Sequence, residues 1–138
     1  MAEEKRFAVG QEVRFRDLDA MGHVNNATYF TYFEEVRKAF FHRYYNYAAP
    51  ADYPFIMAAV SCRFHRPVQL ADPLEVALRV SHIGRKSFVF QYEICRPESP
   101  ETIFAVGESV QVYYDYASDR SVEIPAAFRE KLERFLIR

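Results

Sequence analysis

The stretch from residue 27 to residue 45 reads ATYFTYFEEVRKAFFHRYY, and its apolar side chains recur with the period of an α-helix. The apolar face consists of Tyr29, Tyr32, Phe33, Val36, Phe40 and Phe41. Glu34 and Lys38 are ordered for an i,i+4 ion pair on the polar face. Asn25 or Asn26 is suited to cap the N-terminus. The pattern predicts one long helix with a strongly aromatic buried face.

The segments around this helix alternate apolar and polar residues, as strands do. Predicted strands cover residues 7–16, with Gly10 as a bulge or bend, then 55–66, 74–83, 87–95 and 103–116. Pro125 precedes a last amphipathic helix with Phe128, Leu132 and Phe135. One early helix followed by consecutive strands predicts an α+β fold with an antiparallel sheet.

Composition excludes several classes of protein. The 138 residues are enough for one domain, 1–138, and half of them are hydrophobic. A net charge of −1 provides no general attraction for nucleic acid or an anionic membrane. The two cysteines, Cys62 and Cys95, form no metal-ligand spacing, and the N-terminus lacks the apolar stretch of a signal peptide. We therefore expect a cytoplasmic protein. The 17% aromatic content suits a core, a subunit interface or an acyl pocket.

Residues 17–29, DLDAMGHVNNATY, lie where a strand ends and the helix begins. Unpaired N–H groups at a helix N-terminus carry partial positive charge and can stabilise an oxyanion. A nearby carboxylate can activate water or attack a carbonyl directly. Gly22 allows a tight turn between the acid and the helix. The same residues also suit an ordinary capped turn, so the residue types permit catalysis without requiring it.

This stretch resembles the signature of the 4-hydroxybenzoyl-CoA thioesterase-like family, which reads approximately Asp-x-Asp-x-x-Gly-His-Val-Asn-Asn-x-x-Tyr. The similarity continues through residues 60–62, the run 83–88 (IGRKSF) and Ile124-Pro125. The resemblance implies a hotdog fold, an antiparallel sheet wrapped around one long central helix. It also implies hydrolysis of an acyl-CoA thioester to a free carboxylic acid and CoA.

The resemblance also implies roles for individual residues. Asp19 matches the catalytic carboxylate, acting as general base or as nucleophile, and the backbone N–H of Asn26 polarises the thioester carbonyl. Asp17 matches a structural position. His23 is an orienting residue or a purely structural one, because Met21 stands where related acyl-carrier-protein thioesterases have a polar partner.

The substrate-binding residues implied by the family are Asn25, Tyr29, Arg85, Lys86 and Ser87. Tyr29 packs beside the acyl group or is simply a core aromatic. Arg85, Lys86 and Ser87 match the position that holds the nucleotide end of CoA, where Arg and Lys bind phosphate. They equally suit a solvated hairpin tip. No metal and no cofactor besides the substrate's own CoA is expected, and the family's intersubunit sites imply a homodimer or homotetramer.

Two other functions remain open on the sequence. Hotdog hydratases and dehydratases act on enoyl thioesters and resemble one another in an Asp and a His five positions apart, whereas Asp19 and His23 are four apart. A hotdog domain can also bind acyl-CoA without catalysis, although Asp19, Gly22 and Asn26 occurring together favours an enzyme. The acyl group is not defined by the sequence.

Overall fold

The long helix is present where the aromatic periodicity predicts it. The computed structural model describes residues 5–137, and α1 spans Asn26–Tyr45. The side-chain oxygen of Asn25 accepts a hydrogen bond of 2.9 Å from the backbone N–H of Ala27, which makes Asn25 the N-cap. Asn46 closes the other end with a left-handed φ of 58°.

Within residues 5–137 six strands form an antiparallel sheet, which confirms the α+β class. They are β1 (Phe7–Gln11), β2 (Phe55–Phe64), β3 (Leu74–Ile83), β4 (Ser87–Arg96), β5 (Ser99–Asp115) and β6 (Arg120–Ser121). The strand order is β1-β3-β4-β5-β2, and the short β6 pairs with β5. A second helix, α2 (Ala126–Glu133), follows Pro125, which occupies the N-cap position.

Two strand predictions are wrong by four or five residues at one end, and the predicted strand 55–66 ends two residues early, at Phe64. The first strand stops at Gln11 because it pairs there with Leu74, the first residue of β3, and so runs out of partner. Its ladder is continuous through Gly10, so the predicted bulge is absent. Strand β5 begins at Ser99 instead of Ile103, because its first residue pairs with the end of β4 in a tight hairpin.

The aromatic face of α1 packs onto the sheet and joins it to α2. Phe41 contacts Phe55 of β2, Phe90 of β4 and Phe128 of α2, with ring centroids 5.1, 5.8 and 6.1 Å away. The hydroxyl of Tyr45 donates a 2.8 Å hydrogen bond to the carbonyl of Phe128. Aromatic burial on this scale is a large share of the hydrophobic stabilisation of a small domain.

Three smaller expectations have different outcomes. Lys38 pairs with Glu35 at 3.5 Å, and not with Glu34 as the i,i+4 spacing predicts. Cys62 falls in the predicted apolar strand 55–66, where a buried thiol is expected, but it is only half-buried. Its partial burial still raises its pKa to about 11. Within residues 5–137 no helix is long and apolar enough to cross a bilayer. The cytoplasmic location stays a prediction.

Among the four glycines, Gly107 of β5 has the least room for a side chain. A Cβ atom there would overlap the ring of Phe33, which stacks on Tyr92 with ring centroids 4.5 Å apart. We expect Gly107→Ala to destabilise the fold by roughly 1–3 kcal/mol, because the Phe33 ring must move in a close-packed core. Urea unfolding measures this change.

Gly10 provides the matched control, since a Cβ atom there meets nothing within 4 Å. Gly10→Ala should leave stability unchanged or raise it by less than about 1 kcal/mol, because glycine is the more flexible residue in the unfolded chain. Equal stability of the two variants would show that Phe33 is not confined against β5.

Candidate functional site

Asp19 stands at the start of a closed turn between β1 and α1. Its Oδ1 accepts backbone hydrogen bonds from Met21 at 2.9 Å and His23 at 3.1 Å, and its own N–H donates to the carbonyl of His23 at 2.7 Å. Gly22 closes this turn with a φ of 81°, a conformation that favours glycine. Within the described residues Oδ2 of Asp19 makes no hydrogen bond. The turn therefore fixes the carboxylate and leaves one oxygen available to a ligand.

Asn26 is the first residue of α1, and its backbone N–H has no hydrogen-bond partner among residues 5–137. This is the expected state of an N–H in the first turn of a helix. Asn26 and Asp19 line the same cavity of about 240 Å³. The structure thus places Asp19 and Asn26, the two residues to which the family resemblance assigns the reactive groups, in the wall of one small cavity.

His23 and Tyr29 also line this cavity. His23 is half-buried and fixed through its backbone, while its ring makes no hydrogen bond within the described chain. Tyr29 is 2% exposed and packs edge-on against Phe64 at 4.9 Å, so it is a core aromatic that also forms part of the cavity wall. Burial raises the pKa of Tyr29, which keeps its hydroxyl neutral. Asn25 uses its side-chain oxygen to cap α1.

The remaining wall of the cavity comes from residues that the sequence does not single out. His65, Arg66 and Pro67 follow the end of β2 and line the cavity beside Asp19. The backbone N–H groups of His65 and Arg66 both bond to the carbonyl of Phe104, at 2.8 and 3.2 Å. The sequence does show that polar residues directly follow the apolar strand 55–64. It does not show which cavity these residues line, because that depends on the pairing of β2 with the distant strand β5.

Asp17 is buried and holds the segment between β1 and α1 in place through hydrogen bonds. It is 3% exposed and accepts hydrogen bonds from the backbone N–H of Arg14 at 2.9 Å and the Tyr32 hydroxyl at 2.8 Å. Its carbonyl also receives the N–H of Asn25 at 2.8 Å. Burial acts to raise the pKa of Asp17, but the hydrogen bonds from Arg14 and Tyr32 outweigh it, so the pKa lies below its usual value.

We expect Asp17→Asn to cost roughly 1–3 kcal/mol of stability at neutral pH, because the buried hydrogen-bonding groups lose a charged acceptor. A lowered folded-state pKa means that the stabilisation is complete above the unfolded value of about 3.9. It is lost as the pH falls through the folded-state pKa. Urea unfolding between pH 7 and pH 3 should therefore show the two proteins converging in acid.

Tyr32→Phe is the control for this prediction, because it removes one hydrogen bond to Asp17 and keeps the carboxylate charge. It should lose less stability than Asp17→Asn and retain the acid-dependent loss. A wild-type protein whose advantage over Asp17→Asn stays constant from pH 7 to pH 3 would contradict the role of the ionised carboxylate.

Arg85 and Lys86 lie in the turn between β3 and β4, at a hairpin tip as expected, and Ser87 is the first residue of β4. The carbonyl of Ser87 accepts the N–H of Gly84 at 2.7 Å. Arg85 pairs with Glu123 at 2.9 Å, but both side chains are more than half exposed, so the pair is worth little. Arg85 and Lys86 line a surface depression of about 540 Å³.

In one chain this turn and the Asp19 cavity lie far apart. Ser87 shares a row of the sheet with Val112 and Ile56, whereas Phe64, beside the cavity, shares a row with Ala105 and Ile94. The distance along β4 from Ser87 to Ile94 is about 23 Å at 3.3 Å per residue. The structure therefore does not bring the predicted nucleotide-binding residues together with Asp19 inside a single subunit.

Within residues 5–137 no group of three or more His, Cys, Asp or Glu side chains is placed to hold a metal ion. Asp19, His23 and His65 line the same cavity, but these three side chains are not placed as such a group. The absence of a resident metal or cofactor stays a prediction.

Comparison with known families assigns the chain to a superfamily. The model of the thioesterase-like superfamily matches residues 13–132, a range that includes the turn, α1 and the whole sheet from β2 onward. The chain belongs to the thioesterase-like superfamily. The narrower likeness to 4-hydroxybenzoyl-CoA thioesterases stays a prediction.

Individual proteins resemble this thioesterase-like chain over different lengths. A thioesterase from Thermus thermophilus, solved in complex with coenzyme A and Zn, is 30% identical over 93% of this chain and 92% of its own, with a TM-score of 0.80. The long-chain acyl-CoA thioesterase FadM of Escherichia coli is 24% identical over 91% of this chain and 96% of its own length. YsmA of Bacillus subtilis is 32% identical over 58% of this chain, and the match spans only 54% of YsmA. These likenesses and the observed topology confirm the hotdog fold.

Proposed function

We propose that this thioesterase-like protein hydrolyses acyl-CoA thioesters, with Asp19 and the N-terminus of α1 as its reactive groups. One observation carries the proposal: Asp19, whose Oδ2 makes no hydrogen bond among residues 5–137, and Asn26, whose backbone N–H is unpaired there, line the same cavity. Acyl transfer needs a group that supplies or activates a nucleophile and a donor for the developing oxyanion. Both are held by short backbone contacts, so little reorganisation accompanies the reaction.

The thioester carbonyl oxygen accepts the N–H of Asn26, and negative charge develops there as the carbon is attacked. In one route Asp19 takes a proton from water, the hydroxide oxygen bonds to the carbon, and the C–S bond breaks; the proton then passes to the CoA thiolate. In the other route Asp19 attacks and releases the thiolate, and water hydrolyses the mixed anhydride. After a single turnover in ¹⁸O-labelled water, label in the Asp19 carboxylate identifies the anhydride route with water attacking the aspartyl carbonyl carbon. Label in the product acid alone is expected both from the general-base route and from attack at the acyl carbon of the anhydride.

We also propose that β2 pairs with the same strand of a second copy. Among the described residues β2 pairs only with β5, so its other edge is open. Ile56, Met57, Val60 and Phe64 on this strand are 37–44% exposed. Long apolar edges of this kind promote strand pairing, and a two-fold axis makes the contact close on itself. The edge of β1 offers only five residues.

Such pairing would complete the substrate site. An antiparallel contact around the middle of β2 sets Phe64 of one copy beside Phe55 of the partner subunit, at the end of the sheet where the partner's Arg85–Ser87 turn lies. Three strand spacings, about 14 Å, then separate the Asp19 cavity from that turn, compared with about 23 Å along the sheet of one chain. CoA can therefore extend from Asp19 of one copy to the cationic turn of the other.

The proposed reaction is tested by measuring free thiol released from short, medium, long and aromatic acyl-CoAs. Hydrolysis of at least one of them is expected, and the panel defines the acyl group. An enoyl-CoA assayed for water addition covers the hydratase alternative: addition there without thiol release from saturated substrates would overturn the proposal. Tight binding of CoA esters without turnover of any of them would instead support a binding module.

A further inference from the structure

The proposed hydrolysis leaves one developing charge without an assigned partner. In either route, negative charge gathers first on the carbonyl oxygen, where the N–H of Asn26 stabilises it. The charge then moves to sulfur as the C–S bond breaks, and the carboxylate of Asp19 cannot stabilise an anion. A fixed charge of opposite sign contributes most where charge develops in the transition state. A cation in the wall of the Asp19 cavity would therefore serve the leaving sulfur.

Arg66 is the only arginine or lysine among the described residues that line this cavity. Its side chain is exposed at the end of β2, and it forms no ion pair within residues 5–137. Asp72, an acid in the same loop, is bound instead by Arg96 at 2.9 Å. Asp19 is the only described acid in the cavity wall, and it does not pair with Arg66 either. The two opposite charges thus line one cavity and leave the space between them for a reacting group.

The segment that carries Arg66 is fixed on both sides. The N–H of Arg66 donates to the carbonyl of Phe104 in β5 at 3.2 Å. Two residues further along, the carbonyl of Val68 accepts the N–H of Val24 at 2.8 Å, which ties the segment to the end of the Asp19 turn. Pro67 lies between these two bonds and restricts the backbone. The backbone of Arg66 is therefore held in place relative to the turn that carries Asp19.

We propose that Arg66 stabilises the thiolate that leaves when the C–S bond breaks, an inference that rests on the proposed hydrolysis. The electron pair of the C–S bond passes to sulfur, and the guanidinium offsets its charge without giving up a proton. The thiolate afterwards takes a proton from water or, in the general-base route, the proton that Asp19 has accepted. His23 and His65 also line the cavity, but an imidazole is cationic only when protonated, whereas a guanidinium is always charged.

The acidity of the thiol of bound CoA tests the position of Arg66 directly. A cation beside the sulfur favours the thiolate, so CoA bound to wild type should lose its thiol proton at a pH about one unit lower than CoA bound to Arg66→Gln. Ultraviolet absorbance of the thiolate follows the titration. The same protein with S-methyl-CoA, whose sulfur does not titrate, supplies the baseline and removes the signal of the tyrosines. Arg16→Gln, which removes an exposed arginine outside the cavity wall, should titrate as wild type does.

Two thioesters of the same acyl group show whether this contact acts in the reaction. The N-acetylcysteamine ester releases an aliphatic thiolate, as CoA esters do, whereas the thionitrobenzoate ester releases an aromatic thiolate that is stable without a cation. Arg66→Gln should lower kcat/KM at least about tenfold for the first ester and less than about threefold for the second. Arg66→Lys keeps the positive charge and should recover most of the loss.

Equal losses with both esters, or the same thiol titration in wild type and Arg66→Gln, would overturn the role of Arg66 and leave the proposed hydrolysis intact. If His65→Gln showed the difference between the two esters and Arg66→Gln did not, the sulfur would face His65 and the proposal would also be wrong. A wild-type protein that hydrolyses no thioester would overturn the proposed function itself, and this inference with it.

Discussion

Asp19→Asn should lower the rate of acyl-CoA hydrolysis by roughly 10²–10⁴-fold, the usual contribution of a positioned acid or base. The asparagine oxygen can still accept the N–H groups of Met21 and His23, so the turn is retained. An amide cannot accept the proton of water at neutral pH, and it is a poor nucleophile toward a thioester. The loss should therefore appear in kcat, measured by thiol release, with KM changed much less.

Asp52→Asn is the matched control for this variant. Asp52 is also exposed and also accepts two backbone N–H groups through one oxygen, from Ala48 at 2.8 Å and Ala49 at 2.9 Å. It lies in the segment after α1 and lines no part of the Asp19 cavity. Activity within about twofold of wild type is expected. Full activity of Asp19→Asn would remove this carboxylate from the mechanism and leave the helix N-terminus as the sole group assigned to the thioester carbonyl.

Local patterns predict the elements of this fold well and the surfaces that they create less well. The apolar period of residues 27–45 predicts α1, because this helix buries one of its faces. The alternation in residues 74–83 predicts β3 with its exact bounds, because neighbouring elements cover this strand. Strand β2 is as apolar in sequence, yet most of it is exposed. Its position at the edge follows from the strand order, which depends on pairing between distant segments and leaves no periodic signal.

The residues of the candidate site differ in the same way. Asp19 and Asn26 are close in sequence, so a motif predicts that they meet. His65 and Arg66 reach the same cavity only because β2 pairs with β5, and their own residue types do not indicate it. The sequence predicts Arg37 on a solvated helix face, because it does not show the hydrogen bond from Arg37 to Tyr92 of β4. Chemistry carried by one loop is predictable from sequence, whereas chemistry shared between strands is not.

Mixed dimers should recover activity that each of two parent variants lacks. The first parent is Asp19→Asn, and the second is the double variant Arg85→Glu/Lys86→Glu, in which the cationic turn repels the phosphates of CoA. In either homodimer, both sites carry a defect. In the mixed dimer one site receives Asp19 from one copy and the intact turn from the other, while the second site receives both defects.

The expected activity of the mixed dimer is about half that of wild type per dimer, at least tenfold above either parent at low acyl-CoA concentration. Two differently tagged copies, co-expressed and purified through both tags in turn, supply the mixed species, and thiol release measures it. If Asp19 and the turn of the same chain formed one site, each site of the mixed dimer would contain a defect, and activity could not exceed the mean of the two parents. The experiment thus distinguishes an intersubunit site from one confined to a single chain, and the separation of about 23 Å within one chain favours the intersubunit site.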